Sequence, residues 1–160
     1  MPTRLERPEP DAYRVRRVHH VGITVARLDR SLAFYRDLLG MTVLGLSDDE
    51  DVGAIVGITG ARVRAADIDA GDGQVLELLE YDSDNAKSYS HGPDTVGSCH
   101  LSLQVGDLSS VLSRLASAGF MPMGEVVALS DGGVWEDCTV VYLRDPDNVI
   151  IELIARGTDD

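Results

Sequence analysis

The sequence contains only two cysteines, Cys99 and Cys138, in 160 residues, which is too few for the disulfide framework of a small secreted domain. It is also poor in basic residues, with 14 lysines and arginines against 27 acidic residues and a net charge of -13. Nucleic acids and anionic membranes attract basic surfaces, so neither is expected as a partner. No apolar run approaches a membrane span, and the N-terminus lacks a signal-peptide core. We therefore expect a cytoplasmic protein.

An internal repeat is the main feature that the sequence does contain. Segments 18–25 and 97–105 align so that His20 matches His100, and their alternating apolar residues match as well. Both copies end in similar runs, in which Glu77 and Glu152 occupy corresponding places. Each copy therefore predicts a strand, a helix and further strands, with a histidine on the first strand and a glutamate on the last.

Periodicity and turn residues predict the elements of the first copy. Asp29 is a suitable N-cap for the helix and Gly40 a suitable stop. The acidic residues 47–51 are expected to form a solvated turn, with a metal or base role as the alternative. The expected elements are a strand at 17–25, a helix at 30–39, strands at 41–46, 54–59 and 62–68, a hairpin turn at 70–73 and a strand at 74–81.

The second copy repeats the scheme, with a helix at 109–118, strands at 138–143 and 149–155, and a proline-led turn at 144–148. Glycines beside Trp135 predict either a lid or pocket wall, or a plain hairpin connection in which Trp135 packs. The domain organisation expected is an N-terminal arm at 1–14, one domain at 15–155 made of module one (17–81), a linker (82–96) and module two (97–155), and a tail at 156–160.

Four residues carry the predicted chemistry: His20, Glu77, His100 and Glu152. Each glutamate lies mid-strand among apolar neighbours, where an ionised carboxylate is costly unless it is paired or bound to a cation. A pseudo-two-fold axis between the modules would let the four side chains converge. Two imidazoles and two carboxylates suit one divalent Zn, Ni, Co, Mn or Fe ion better than Ca or Mg, which prefer all-oxygen shells.

Other polar residues have simpler interpretations. Alternation puts His19 on the opposite face from His20, which predicts a structural role, and Glu80 is expected to be solvated. Cys99 is predicted to point to the core and Cys138 to be buried, and neither has the histidine arrangement of a nucleophile. His91, in the linker, is expected to be exposed, with substrate contact as the alternative.

These residues resemble the vicinal oxygen chelate superfamily, which includes glyoxalase I, methylmalonyl-CoA epimerase, extradiol dioxygenases and antibiotic resistance proteins. The resemblance covers about residues 18–155, and it is carried by the motifs at 20–25, 28–40, 76–78, 145–147 and 151–154. It implies an α+β fold in which two tandem βαβββ modules form a curved, barrel-like mixed β-sheet around a metal site. It also implies a homodimer, a small-molecule substrate, and His20, Glu77, His100 and Glu152 as metal ligands, with no further cofactor.

The full His-Glu-His-Glu set is similar to the glyoxalase I and epimerase branches. Thr24 and Tyr81 stand where bacterial glyoxalase I has residues that contact glutathione, which favours an epimerase or isomerase. The resemblance then implies removal of a proton next to a carbonyl through a metal-stabilised enediolate, with Glu77 or Glu152 as the base and a cyclic polyhydroxy ketone or CoA thioester as substrate. The alternatives are a glyoxalase I-like lyase, an iron-dependent ring-cleaving dioxygenase and a non-catalytic binding or resistance protein.

Overall fold

The computed structural model describes residues 15–83, 91–130 and 132–157. The first module contains β1 (His20–Thr24), α1 (Leu28–Leu32) with a π-helical continuation (Ala33–Leu38), β2 (Val43–Asp51), α2 (Gly53–Val56), β3 (Arg62–Asp69) and β4 (Val75–Tyr81). The second contains β5 (His100–Gln104), α3 (Leu108–Ser117), β6 (Val127–Leu129), β7 (Cys138–Arg144) and β8 (Ile150–Arg156). The predicted α+β class with two βαβββ modules is confirmed. The predicted arm, part of the linker and the end of the tail lie outside the described residues.

Each module forms its own four-stranded mixed sheet, and the two sheets have the same topology. The strand orders are β1-β4-β3-β2 and β5-β8-β7-β6, with the first strand of each module parallel to the last. Glu77 lies opposite Gly22 on β1, and Glu152 lies opposite Ser102 on β5. The repeat seen in the sequence therefore extends to the pairing register, and it leaves β1 and β5 at sheet edges.

The two modules share one hydrophobic core. Apolar residues from the inner faces of both sheets belong to a single buried cluster, and Phe34 meets Phe120 across the modules with ring centroids 4.8 Å apart. Glu77 lies between two strand residues of this cluster, and so does Glu152. Because strand side chains alternate between faces, both glutamates point to the side away from the shared core. None of the helices in the described ranges is long and apolar enough to cross a membrane.

A buried hydrogen bond also joins the modules. The hydroxyl of Tyr35, in the π-helical continuation of the first helix, donates to Oδ2 of Asp145 in the β7–β8 turn at 2.9 Å. Oδ1 of Asp145 accepts the amides of Asp147 and Val149, both at 2.8 Å. Burial raises the pKa of Tyr35 well above its usual value and also raises the pKa of Asp145. The turn is therefore fixed against the helix of the other module.

Replacing Tyr35 by Phe is expected to lower the free energy of unfolding by about 1.5–3 kcal/mol, the range for a hydrogen bond to a charged group. The ring would still pack, but Oδ2 of the buried Asp145 would lose its donor. Urea denaturation measures the change. Tyr81→Phe, which removes a hydroxyl from a half-buried strand residue, is the control and is expected to change the midpoint little. Equal midpoints for the two variants would show that the bond contributes nothing.

The predicted start of the first helix is wrong. The helix begins at Leu28 rather than residue 30, its N-cap is Arg27, and no side chain caps it. The amide of Leu28 instead donates to Oε2 of Glu80 at 2.6 Å. A carboxylate from β4, distant in sequence, thus takes the place of the local Asp29 cap.

The region 47–59 also differs from its prediction. Residues 47–51 are not a turn but the second half of β2, where Asp48 and Asp49 pair with Arg64 and Arg62 of the adjacent β3. The strand predicted at 54–59 is wrong, because this segment begins as the short helix α2. The amide of Gly53, its first residue, donates to Asp51 Oδ1 at 3.0 Å.

Candidate functional site

In module one, a histidine and a glutamate face each other across β1 and β4. His20 Nε2 lies 3.6 Å from Oε2 of Glu77. Gly22 is the register partner of Glu77, and a Cβ built there would lie 3.6 Å from the same carboxylate oxygen. A longer side chain at this position would therefore crowd the carboxylate, whereas glycine leaves open space beside it.

Module two repeats the pair with a different neighbour. His100 Nε2 lies 3.9 Å from Oε2 of Glu152. Tyr142 on β7 is opposite Glu152, and its hydroxyl lies 3.5 Å from Nε2 of His100. The pKa of Tyr142 is raised mainly by burial, and further by the charge of Glu152 and a hydrogen bond to it. The phenol therefore stays protonated near neutral pH and acts as a donor.

The structure brings His20 to Glu77 and His100 to Glu152, but it does not bring the two pairs together. They lie on the outer faces of two sheets whose inner faces share the core. Among the residues that the structure describes, no group of three or more His, Cys, Asp or Glu side chains is placed to hold a metal ion. One chain thus presents two separate pairs of one imidazole and one carboxylate, which are candidate half-sites.

Both half-sites are open to solvent. The side chains of His20 and His100 are 47% and 43% exposed, and those of Glu77 and Glu152 are 31% and 12% exposed. A second chain can therefore reach them without any rearrangement of the shared core.

The donor atoms fit a borderline divalent ion. Imidazole nitrogen and carboxylate oxygen are the ligand types that such ions accept. The separations of 3.6 and 3.9 Å within the pairs are too long for hydrogen bonds. These separations are closer to the ~3.0–3.4 Å expected between neighbouring ligand atoms around an ion with bonds of about 2.1 Å than to the length of a hydrogen bond.

His19 is placed differently from its prediction. It precedes β1 and is exposed, because the strand begins at His20 and the alternation does not extend back to residue 19. Its Nδ1 lies 3.0 Å from Nδ1 of His20, with the two rings edge to face. The prediction of a structural residue on the opposite face is therefore wrong. This contact leaves Nε2 of His20 free for an ion and orients the ring, as outer partners of metal-bound histidines commonly do.

Two further expectations are corrected. Glu80 is not simply solvated, because it accepts the Leu28 amide and forms an ion pair with Arg64 at 3.3 Å, and its side chain is only 19% exposed. Cys99 is exposed rather than turned to the core, while Cys138 is buried as predicted, and both are free thiols.

Two arginines of module two hold loop segments through their backbone carbonyls. Arg144 donates to the carbonyl of His91 at 2.9 Å, and Arg156 donates to the carbonyl of Val134 at 2.8 Å. Trp135 is 46% exposed, so the alternative in which it packs within a plain hairpin connection is wrong.

The sequence alone did not identify Tyr142 as a neighbour of the His100–Glu152 pair. The available signal was its position ten residues before Glu152, on the neighbouring strand of a hairpin.

Comparison with known proteins gives a family match over most of the chain. The sequence profile of the Glyoxalase/Bleomycin resistance protein/Dioxygenase superfamily matches residues 17–153. The chain is 26% identical over 144 residues to a probable lactoylglutathione lyase of Vibrio cholerae, with 88% of this chain and 91% of that protein covered. It is 28% identical over 144 residues to a 2-epi-5-epi-valiolone epimerase of an Actinomyces species, with 86% and 78% covered.

A solved structure supports the fold. The crystal structure of a glyoxalase family protein from Bacillus cereus superposes with a TM-score of 0.81 at 22% identity. The match covers 93% of this chain and 100% of that one. The likeness therefore extends to both modules and to the strands that carry the two half-sites.

Proposed function

Because the chain belongs to the glyoxalase/bleomycin resistance protein/dioxygenase superfamily, we propose that it is a metal-dependent epimerase or isomerase that removes a proton next to a carbonyl group. The observation that carries the proposal is the pairing of one histidine with one glutamate, in equivalent register, in each module. A surface role for the glutamates would not require this repeated pairing. The full set of two imidazoles and two carboxylates favours an ion with places left for substrate oxygens.

We further propose that two copies of the chain form a homodimer that joins the half-sites. The histidine-bearing strands β1 and β5 are both at sheet edges, so each can lie beside a strand of another chain. Val18 and Val21 flank His20 and are 60% and 43% exposed, which supports burial against a partner. A two-fold dimer would then hold two sites, each with His20 and Glu77 from one chain and the second pair from the other.

The mechanism follows from what these side chains can do. His20 and His100 would bind the ion through Nε2, and Glu77 and Glu152 through carboxylate oxygens. When bound, the ion supplies Lewis-acid stabilisation of negative charge on the substrate oxygen. One carboxylate takes the proton from the carbon next to the carbonyl while the electron pair of the C–H bond moves towards the oxygen. An acidic group on the opposite face of the substrate returns a proton to this carbon and so inverts its configuration. That group then regains its proton from water.

The charges near the site favour a neutral polyhydroxylated cyclic ketone as substrate. Asp67 is the register partner of Glu77, Asp69 lies two residues further along β3, and both are exposed. These carboxylates would repel the phosphates of a CoA thioester or the carboxylates of a glutathione adduct. Similarity to a protein named 2-epi-5-epi-valiolone epimerase supports the same class.

A glyoxalase I-like lyase is the second candidate, favoured by similarity to a probable lactoylglutathione lyase. Thr24 and Tyr81, at the two places where the resemblance implies glutathione contacts, weigh against it. We propose a cytoplasmic location for either enzyme, because both cysteines are free thiols.

The test is solvent hydrogen exchange during turnover. Metal-loaded protein in heavy water is expected to place deuterium on the carbon next to the carbonyl of a valiolone-type ketone. A chelator should stop the reaction, and Zn, Ni, Co, Mn or Fe should restore it. Conversion of the ketone without deuterium would contradict the mechanism.

Parallel assays separate the alternatives. Conversion of the methylglyoxal–glutathione hemithioacetal instead of the ketone would identify a lyase, and oxygen uptake with an iron-loaded protein would identify a dioxygenase. Tight ligand binding without conversion would identify a binding protein. Each of these results would overturn the epimerase proposal.

A further inference from the structure

The two half-sites are equivalent in position but differ in the residue that faces the glutamate. Tyr142 lies opposite Glu152, and Asp67 lies opposite Glu77. Each of these residues stands ten positions before its glutamate, so they occupy the same place in the repeat. The duplication has therefore kept the ligands and changed their neighbour from a carboxylate in module one to a phenol in module two.

In module two, a phenol lies against the ligand pair and faces the carboxylate. The Tyr142 hydroxyl lies 3.5 Å from Nε2 of His100, and the two rings lie with centroids 5.1 Å apart. The Glu152 side chain is only 12% exposed and lies between Tyr142 on β7 and Ser102 on β5. A hydroxyl can donate to a carboxylate, so this half-site is built to hold Glu152 in one place.

In module one, the corresponding glutamate has no such restraint. Asp67 carries an acceptor-only carboxylate when ionised, so it repels Glu77 rather than holding it. Gly22 contributes no side chain on the other flank, and the Glu77 side chain is 31% exposed. Glu77 is therefore the freer of the two carboxylates.

We propose that Tyr142 is a positioning residue that holds Glu152 in the metal shell, so that the two half-sites hold the ion unequally and Glu77 is the ligand that gives way to substrate. This inference rests on the proposed metal-dependent function. Glu77, once displaced, is then the carboxylate available to take the substrate proton.

The test compares the cobalt and zinc affinities of Tyr142→Phe and Tyr81→Phe with that of the wild type. Loss of an outer partner of a metal ligand is expected to weaken ion binding by about 10–100-fold in Tyr142→Phe. Tyr81→Phe removes a hydroxyl from the same face of β4 roughly 13 Å beyond Glu77, at four residues of about 3.3 Å each, and is expected to bind the ion as the wild type does. The visible spectrum of the cobalt form should change only in Tyr142→Phe.

Two further measurements separate positioning from a general loss of structure. Saturating ion is expected to restore the activity of Tyr142→Phe, which a misfolded variant would not regain. Glu152→Gln should weaken ion binding more than Glu77→Gln does. Wild-type affinity in Tyr142→Phe, or equal losses in the two glutamine variants, would overturn the inference and leave the proposed function standing. Failure of the wild type to bind any of these ions would overturn both.

Discussion

The variant His100→Ala is expected to bind the ion more than about 100-fold more weakly than the wild type and to lose hydrogen exchange, because loss of an outer partner alone costs about 10–100-fold. The imidazole contributes one of only two nitrogen donors in the proposed ligand set. Since His100 is at a sheet edge and 43% exposed, its removal is expected to leave the fold intact.

Equilibrium dialysis with zinc or cobalt measures the affinity, and urea denaturation confirms that the variant is folded. His91→Ala is the matched control, because this histidine precedes the same module and lies outside the proposed ligand set. We expect it to keep the wild-type affinity. Ion binding by His100→Ala at the wild-type level would remove this residue from the ligand set.

Mixing two inactive variants is expected to restore activity. A chain with His20→Ala and Glu77→Ala lacks the module-one half of every site, and a chain with His100→Ala and Glu152→Ala lacks the other half. In a mixed dimer, one site receives all four wild-type ligands and the other receives none. With random exchange of subunits between two-fold dimers, activity should recover to about a quarter of the wild-type value.

The control for this experiment mixes His20→Ala with Glu77→Ala. Both substitutions are in module one, so every site in the mixed dimer still lacks one ligand and no activity should return. Recovery in this control would indicate that His20 and Glu77 of one site come from different chains, which would contradict their pairing within one module. Absence of recovery in the first mixture, with subunit exchange verified by mass spectrometry, would contradict a shared site.

The sequence was sufficient to predict the two histidine–glutamate pairs because duplication repeats both their order and their register. His20 and His100 begin matching edge strands, and Glu77 and Glu152 occupy matching places on the strands beside them. A single copy would have been ambiguous, since a lone strand histidine has many structural uses. The repeat, rather than either module alone, therefore made the fold and the positions of these four side chains predictable.

Contacts between distant segments explain what the sequence could not predict. The first helix begins where it does because Glu80 accepts the amide of Leu28, and β2 extends through its acidic residues because two arginines of β3 pair with them. Alternation predicted which residues share a face of each strand. It did not predict that the faces carrying the two histidine–glutamate pairs both turn away from one shared core. The separation of the two half-sites follows from that packing, which is visible only in three dimensions.

A crystal structure of the dimer grown with zinc or cobalt, with the ion located by anomalous scattering, tests the central claim most directly. We expect each ion to lie between His20 and Glu77 of one chain and His100 and Glu152 of the partner subunit. An ion bound by other side chains, or the two pairs remaining apart in the presence of saturating ion, would contradict this description of the site.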